Sequence, residues 1–274
     1  MAAARNLGLS VATLETLRDV DRPEDLAYYR GWRGARTDGV VPAPSAISVI
    51  IPALNEAERI GAAVASARVE EKAEVIVVDG GSSDNTVAVA DAAGARVLAS
   101  EPHRARQMNA GARAANGDIF LFLHADTLLP SDYAQAVAGA LTDERVAIGA
   151  FTLALDGDSP LNRVTEAAVR FRCRVSSLPY GDQALFLRAD TFRAVGGFTD
   201  MPLMEDFELV RRLKNRGRVE ILQQPVVSSS RRMERLGVIR STVINFAIVA
   251  AYHLGVSPER LARWYRGGTA EVGE

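Results

Sequence analysis

The sequence predicts an α/β fold in which a mostly parallel central sheet is flanked by helices. Three short apolar runs, at 47–53, 75–79 and 118–124, lack the polar alternation of a half-exposed strand. Such runs are typical of strands that are buried on both faces. A helical pattern follows each run, and this alternation of strands and helices implies right-handed crossovers and a parallel sheet.

The remaining elements follow from the same patterns. In the first half, helices are predicted at 56–67, from 84 onward, at 105–115 and at 131–141, with a further strand at 96–99. The second half is mixed, with strands predicted at 148–155, 183–188 and 219–227 and helices at 160–175, 190–195, 205–216, 236–254 and 258–265. Gly or Asn-Gly follows several of these helices, which is a common C-terminal signal.

Three parts are expected along the chain. Residues 1–45 form an N-terminal helical extension, with short amphipathic helices at 10–20 and 21–34 and a linker rich in Pro and Gly. The main domain spans 46–230, and residues 231–274 form a C-terminal helical segment.

Bulk composition excludes several classes of protein. The chain has 274 residues, of which 24% are charged, and its net charge of −2 gives no reason to expect a nucleic-acid partner. Its single cysteine, Cys173, excludes an internal disulfide and a Cys-rich zinc site. The N-terminus lacks the apolar core of a signal peptide, so a cytoplasmic location is expected.

One apolar stretch within 236–256 leaves two interpretations open. It is shorter than the ~20 residues that span a bilayer, and Asn245 and His253 interrupt it. It could be a helix packed on the core. It could instead lie on a membrane surface or contact a second copy of the chain, with the preceding arginines as a basic flank. Those arginines are Arg231, Arg232, Arg235 and Arg240.

Polar clusters follow the three buried runs. They are the loop at 52–56, the loop at 79–86, and His124-Ala125-Asp126. Because groups at the carboxyl ends of parallel strands converge on one crevice, these clusters predict a site for a nucleotide and a metal.

The first two loops also allow simpler interpretations. Asn55 and Glu56 could merely cap the next helix, and so could Ser83 or Asp84. Asp79 ends a buried strand, where an unpaired carboxylate is costly unless something binds it. No G-x-G-x-x-G and no phosphate loop of the G-x-x-x-x-G-K-[ST] type follows any strand, which argues against dinucleotide enzymes and P-loop ATPases.

The third cluster pairs an imidazole with a carboxylate. Alternation along an extended chain would aim His124 and Asp126 to the same side, where they could hold Mg²⁺ or Mn²⁺ beside a diphosphate. The alternative is that His124 is a neutral core residue and Asp126 caps the next turn.

These motifs resemble those of the family 2 glycosyltransferases of the GT-A fold, which has a Rossmann-like sheet. The resemblance rests on SVIIPALNE at 48–56, EVIVVDGGSSDNT at 74–86 and FLHAD at 122–126, and it spans about 47–230. Shorter motifs resemble a bacterial subgroup labelled arsenosugar-biosynthesis-type glycosyltransferases; they lie at 104–109, 181–183, 205–208 and 229–232.

The resemblance implies roles by position. The nucleotide and donor would contact Pro52, Ala53, Asn55, Glu56, Asp79, Gly80, Ser82, Arg104, Gln107, His124, Ala125, Asp126 and Arg231. The acceptor or donor sugar would contact Gly181, Asp182 and Gln183. Asp126 would bind the metal as the last residue of the family's D-x-D motif, in which His124 replaces the first Asp. Asp206 would be the general base, with Glu205 as its orienting partner, although acids at a helix start also favour the helix dipole.

The implied activity is inverting, metal-dependent transfer of a sugar from a nucleotide-diphospho-sugar, expected to be UDP-linked, to an acceptor that the sequence does not identify. Such a displacement needs a base for the acceptor hydroxyl and a cation for the leaving diphosphate. Two alternatives stay open: a sugar-phosphate nucleotidyltransferase and a catalytically silent nucleotide-sugar-binding protein.

Overall fold

The computed structural model describes residues 46–69, 73–231 and 238–270. The predicted extension over 1–45, with its two helices and linker, lies outside these residues.

Eight strands and nine α-helices are formed within the described residues. The strands are β1 (Ile47–Ala53), β2 (Glu74–Asp79), β3 (Arg96–Ala99), β4 (Ile119–Phe122), β5 (Thr127–Leu128), β6 (Val146–Leu155), β7 (Leu185–Arg188) and β8 (Arg218–Ser228). The helices are α1 (Ile60–Ala67), α2 (Thr86–Ala92), α3 (Arg104–Ala114), α4 (Tyr133–Leu141), α5 (Pro160–Ser176), α6 (Ala189–Ala194), α7 (Glu205–Lys214), α8 (Val238–His253) and α9 (Pro258–Ala270). A short 3₁₀ helix spans Gly181–Gln183.

The strands form one sheet in the order β3-β2-β1-β4-β7-β6-β8-β5. Strands β1 to β4 pair in parallel, as predicted, and β6 also pairs in parallel with β8. Strand β7 is antiparallel to β4 and β6, and the short β5 is antiparallel to β8. The predicted α/β class with a mostly parallel sheet flanked by helices is therefore confirmed.

Side chains on the two faces of the sheet enter separate cores. Val49 and Ile51 of β1 pack into one apolar cluster, which includes residues of α1 and α4, whereas Ile50 packs into the other, which includes residues of α3 and α7. Burial on both faces explains why these strands lack polar alternation.

Close packing of α3 on β1 helps to position the site. A Cβ at Gly111 would lie 2.5 Å from Cγ2 of Ile50, so only glycine allows this helix to lie so near the strand. The N-terminus of α3, which carries Arg104 and Gln107, therefore stands over the carboxyl ends of β1 and β2.

The C-terminal helices pack against the start of α7. The ring of Phe207 lies 5.7 Å from that of Tyr252 and 5.5 Å from that of His253, and Ile248 and Leu261 join the same cluster. The core-packing interpretation of 236–256 therefore fits the described side chains of α8. Across the part of the chain that the structure describes, no helix combines the length and apolarity needed to cross a membrane.

Candidate active site

The first two loops hold each other through a set of hydrogen bonds. The amide of Asn55 donates to Oγ of Ser82 at 2.8 Å, and the amide of Glu56 donates to Oγ1 of Thr86 at 2.8 Å. Oδ1 of Asn55 accepts from the amide of Ser83 at 2.9 Å. Helix α1 begins at Ile60 without a side-chain cap, so the alternative in which Asn55 and Glu56 merely cap that helix is wrong.

Asp79 is satisfied within its own loop. Its Oδ2 accepts from the amides of Gly81 and Ser82, both at 3.0 Å, and its Oδ1 accepts from Oγ of Ser82 at 2.5 Å. The carboxylate is therefore not unpaired, because local donors compensate its burial and no bound ligand is needed for that purpose. The contact of Asp79 with the nucleotide stays a prediction.

Gln107 joins the ends of two strands. Its Nε2 donates to the carbonyls of Ala53 at 2.9 Å and Val78 at 2.8 Å, and the side chain is buried. A Cβ at Gly80 would lie 3.0 Å from that Nε2, so glycine lets the loop pass close to it. Both N–H groups of Gln107 are therefore used by backbone carbonyls, and its contact with the nucleotide or donor stays a prediction.

His124 and Asp126 come together through a turn. The amide of Thr127 donates to the carbonyl of His124 at 3.1 Å, so the chain is not extended there as predicted. Burial and the charge of Arg104 lower the pKa of His124 to about 4, against the opposing effects of Asp126 and Asp206. The imidazole is therefore neutral at pH 7, with a lone pair available on one ring nitrogen.

Arg231 connects the first loop to Asp126. Its Nη2 lies 2.8 Å from Oε1 of Glu56, and this bond, together with the charges of Glu56 and Asp126, raises the pKa of Arg231 against its partial burial. Oε2 of Glu56 is buried without a hydrogen-bond partner among the described residues. We call Glu56, His124, Asp126 and Arg231 the Asp126 cluster. Arg232 lies outside the described residues.

Glu205 opens α7 in an ion pair with Arg104. The side chain of Glu205 is 2% exposed and that of Arg104 is 41% exposed. Burial would lower the pKa of Arg104, but the charges of Glu205 and Asp206 raise it above its ordinary value. Glu205 is thus buried and paired with Arg104, which is compatible with the predicted orienting role; that role stays a prediction.

Asp206 and His124 both lie close to Gly181. Oδ2 of Asp206 accepts from the amide of Gly181 at 2.7 Å, and Oδ1 accepts from the amide of Phe207 at 2.7 Å. A Cβ at Gly181 would lie 3.0 Å both from that Oδ2 and from Nε2 of His124. The backbone of Gly181 therefore brings the predicted base next to the Asp126 cluster.

Gln183 is a structural support rather than a group that faces a ligand. Its Nε2 donates to the carbonyl of Phe151 at 2.9 Å, and its Oε1 accepts from Nη2 of Arg172 at 3.0 Å. With 1% of its surface exposed, it cannot contact a sugar, so that prediction is wrong.

Arg172 is a site residue that sequence patterns do not reveal. Its guanidinium carbon lies 3.6 Å from the centroid of the Tyr180 ring, and its Nε is buried without a hydrogen-bond partner among the described residues. Oδ1 of Asp182 is buried and unpartnered in the same sense. Burial, with a contribution from Asp206, raises the pKa of Asp182 despite the charges of Arg172 and Arg104. A hydrogen-bond donor of Arg172 and an acceptor of Asp182 thus have no partner among the described residues.

Unfavourable backbone conformations occur beside these groups. Asn55, Ala184 and Met204 have φ values of 55°, 49° and 72°. Residues other than glycine rarely adopt this left-handed region. They precede Glu56, follow Gln183 and precede Glu205, respectively. Strain of this kind is commonly retained where a site requires a fixed geometry.

The donor set fits a divalent ion only in part. Among the described residues, no group of three or more His, Cys, Asp or Glu side chains could enclose a metal ion. His124 and Asp126 would supply two ligands, one of them a neutral imidazole. Mg²⁺ is commonly held by one or two protein ligands together with phosphate oxygens of the substrate, so the pair fits an ion that arrives with a diphosphate.

Comparison with known proteins gives both the fold and the family. Residues 48–199 match the family described as Glycosyl transferase family 2. Over 73% of this chain and 78% of the other, the fold is similar to that of glucosyl-3-phosphoglycerate synthase from Mycobacterium tuberculosis, solved with phosphoglyceric acid, with a TM-score of 0.53 and 22% identity.

Two curated relatives match shorter segments. Glucosyl-3-phosphoglycerate synthase of Mycolicibacterium paratuberculosis is 34% identical over 112 residues, which are 36% of this chain and 34% of the relative. Glycosyltransferase AglJ of Haloferax volcanii is 43% identical over 58 residues, 21% of this chain and 19% of the relative. The chain thus spans about a third or less of the length of these relatives. The family match covers more than half of the chain, which therefore belongs to glycosyl transferase family 2.

Proposed function

We propose that this protein is an inverting glycosyltransferase that moves a sugar from a nucleotide-diphospho-sugar, expected to be UDP-linked, to an acceptor hydroxyl. The observation that carries the proposal is the position of Asp206, whose carboxylate lies close to His124 of the Asp126 cluster: a Cβ on Gly181 would lie 3.0 Å from Oδ2 of Asp206 and from Nε2 of His124. A displacement at the anomeric carbon needs a base for the acceptor hydroxyl close to groups that can bind the leaving diphosphate.

Asp206 acts as the general base in this proposal. Its carboxylate takes the proton of the acceptor hydroxyl as that oxygen bonds to the anomeric carbon. The bond from the anomeric carbon to the diphosphate breaks at the opposite face, so the configuration inverts and the nucleoside diphosphate leaves. The amides of Gly181 and Phe207 hold the carboxylate in one orientation while leaving other lone pairs free.

Asp126 and His124 would hold Mg²⁺ or Mn²⁺, which supplies charge neutralisation for the leaving diphosphate when it is bound. Arg104 and Arg231 add positive charge from the protein itself. Each keeps one carboxylate partner, Glu205 or Glu56, and each has more N–H donors than that partner uses. Guanidinium groups held in this way suit phosphate oxygens.

A phosphate-bearing acceptor is the favoured class. The relatives named as glucosyl-3-phosphoglycerate synthases support it, one of them solved with phosphoglyceric acid. Arg172 supports it independently, because its buried Nε has no hydrogen-bond partner among the described residues and its charge acts on Asp182. The narrower resemblance to arsenosugar-type enzymes remains part of the proposal as a subgroup assignment, and we derive no acceptor from it.

The test is transfer from UDP-glucose, with Mn²⁺, to 3-phosphoglycerate and to glycerol 3-phosphate. We expect a product of inverted anomeric configuration with at least one of them. Asp206→Asn should abolish transfer while leaving the affinity for UDP-glucose within about twofold, and Asp126→Ala should weaken that affinity. Donor affinity is measured by the rise in melting temperature, because a ligand that binds only the folded state stabilises it.

Asp190→Asn is the matched control, since Asp190 lies exposed on α6 and pairs only with Arg193 among the described residues. Full transfer activity of Asp206→Asn would refute the base assignment. Release of pyrophosphate from a nucleoside triphosphate would instead identify a nucleotidyltransferase. Donor binding without transfer or hydrolysis would identify a nucleotide-sugar-binding protein.

A further inference from the structure

Helix α5 carries an exposed apolar stripe along its outer face. Leu161, Val164, Phe171 and Val175 are 49%, 64%, 69% and 71% exposed, and Ala168 is exposed between them. Their spacing of three and four residues places them in one row on a helix. We call these five residues the α5 stripe. At 1.5 Å per residue the row is about 21 Å long.

The stripe faces away from the core. Asn162, Glu166 and Cys173 are the buried residues of α5, and at 100° per residue they lie on the opposite side of the helix. Oε1 of Glu166 accepts from the amide of Leu155 at 3.0 Å, which fixes that side against β6. An ordered row of five apolar side chains is more than the scattered exposure that a soluble surface normally shows.

Positive charge accompanies the stripe. Helix α5 contains four arginines and one acidic residue, Glu166, whose side chain is only 4% exposed. Arg163 and Arg170 lie 3.4 Å and 3.9 Å from Oε2 of Glu166, and Arg174 is exposed beside them. Arg163 also lies 3.4 Å from Oδ1 of the exposed Asp158, which precedes the helix. The four arginines still outnumber these two acids, so the charge of this region is positive. A positively charged polar flank next to a wide apolar face is typical of a helix that lies in a membrane interface.

We propose that the α5 stripe docks on an anionic lipid bilayer, with its apolar side chains among the acyl chains near the head groups and its arginines on the phosphates. Charge complementarity favours this occupant over a second copy of the chain. An isologous pair would set one arginine-rich helix against another, whereas anionic head groups neutralise the arginines. The proposal concerns a surface and does not depend on the identity of the sugar acceptor.

A bilayer bound to the α5 stripe would lie against a helix that contacts the candidate active site. Arg172, which belongs to the same helix, donates to Gln183 and stacks on Tyr180, the residue that precedes Gly181. The helix on the membrane would therefore be the one that supports the segment beside Asp206.

Vesicle flotation of the full chain at low salt tests the proposal. We expect binding to phosphatidylcholine vesicles that contain phosphatidylglycerol, weaker binding to phosphatidylcholine alone, and release at high salt because screening removes the head-group attraction. Phe171→Ser with Val175→Ser should lower the partition coefficient at least about tenfold, from the apolar area lost. Arg174→Gln should lower it several-fold.

Val87→Ser is the matched control, because Val87 is 41% exposed on α2, away from this helix. It should float like the parent protein, and the melting temperatures of all variants should confirm that they are folded. Failure of the parent protein to float at low salt would overturn the proposal, as would equal losses in the control and in the stripe variant. A concentration-dependent dimer in sedimentation that Phe171→Ser abolishes would assign the stripe to a second copy instead.

Discussion

The amide of Gly181 donates to Oδ2 of Asp206 at 2.7 Å, and the α-carbon of this glycine faces Nε2 of His124 as well. One backbone position therefore sets the separation between the proposed base and the proposed metal-binding pair. No side chain can be added there without moving one of the two, which makes Gly181 a positioning residue in the proposed mechanism.

Gly181→Ala should impair transfer more than folding. The added Cβ would lie 3.0 Å from both Oδ2 of Asp206 and Nε2 of His124, so one of these groups must shift by a few tenths of an ångström. A misplaced base lowers kcat, here by roughly tenfold to a hundredfold, whereas the free energy of unfolding should fall by about 1 kcal/mol. Steady-state kinetics and thermal unfolding measure the two effects.

Gly139→Ala controls for the substitution itself. Gly139 lies in α4, where an added Cβ meets nothing within 4 Å, so alanine should leave kcat unchanged and stabilise the helix by up to about 1 kcal/mol. Equal kinetics for Gly181→Ala and Gly139→Ala would contradict the positioning role.

Sequence patterns predicted the parallel half of the sheet because strands β1, β2 and β4 have a strong local signal, namely burial on both faces. They did not reveal that β7 is antiparallel, because the apolar pattern of Leu185–Arg188 is compatible with either strand direction. Its partner β4 is also distant in the chain. Loop roles were harder for a related reason. Whether Gln107 meets a phosphate or a carbonyl depends on which strand ends lie above it, and no spacing along the sequence contains that information.

The same limit applies to the candidate site. The position of Asp126 after a buried strand pointed to the site, and the family resemblance implied the role of Asp206. Arg172 lies mid-helix and is found beside these residues only because α5 passes next to Tyr180. The ion pair between Arg104 and Glu205 could not be predicted from sequence spacing either, because 101 residues separate the two.

Arg104→Gln should destabilise the protein because it leaves a buried carboxylate without its charged partner. Glu205 is 2% exposed, and removing one member of a buried pair typically costs several kcal/mol. Arg104 is 41% exposed, so water will reach the gap, and we expect about 2–4 kcal/mol in the free energy of unfolding. Urea denaturation measures this loss.

Arg193→Gln is the comparison for that prediction. Arg193 pairs with Asp190 at 3.2 Å on the surface, where such pairs contribute at most about 1 kcal/mol. The double variant Arg104→Gln with Glu205→Gln should recover part of the stability lost by Arg104→Gln alone. No recovery would mean that the ion pair is not the source of the loss.

Asp182→Asn should stabilise the protein while impairing transfer. Burial raises the pKa of Asp182, so the folded state binds its proton more tightly than the unfolded state does. The ionised carboxylate therefore opposes folding at pH 7, and stability should rise as the pH falls toward the raised pKa. Asparagine removes this charge and its pH dependence, but it also changes a group beside Asp206.

Melting temperatures at pH 7 and pH 5, together with kcat and KM for the acceptor, test this expectation. Asp158→Asn serves as the control, because the side chain of Asp158 is fully exposed. It should not alter the melting temperature, kcat or KM appreciably. A lower melting temperature for Asp182→Asn at pH 7 would show that the carboxylate has a stabilising partner, contrary to the expectation.

Gln107→Met should loosen the ends of β1 and β2 and thereby weaken donor binding. The two side chains are similar in size, but methionine cannot donate to the carbonyls of Ala53 and Val78, which would remain buried with fewer partners. The loss of two such bonds should lower the free energy of unfolding by about 2–3 kcal/mol.

Gln135→Met on the exposed face of α4 is the control and should change the free energy of unfolding by less than about 0.5 kcal/mol. Because Ala53 leads into the loop that Asn55 and Ser82 hold together, the affinity for UDP-glucose should fall with stability in Gln107→Met but not in the control. If the affinity were unchanged, the two strand ends would not support the donor site.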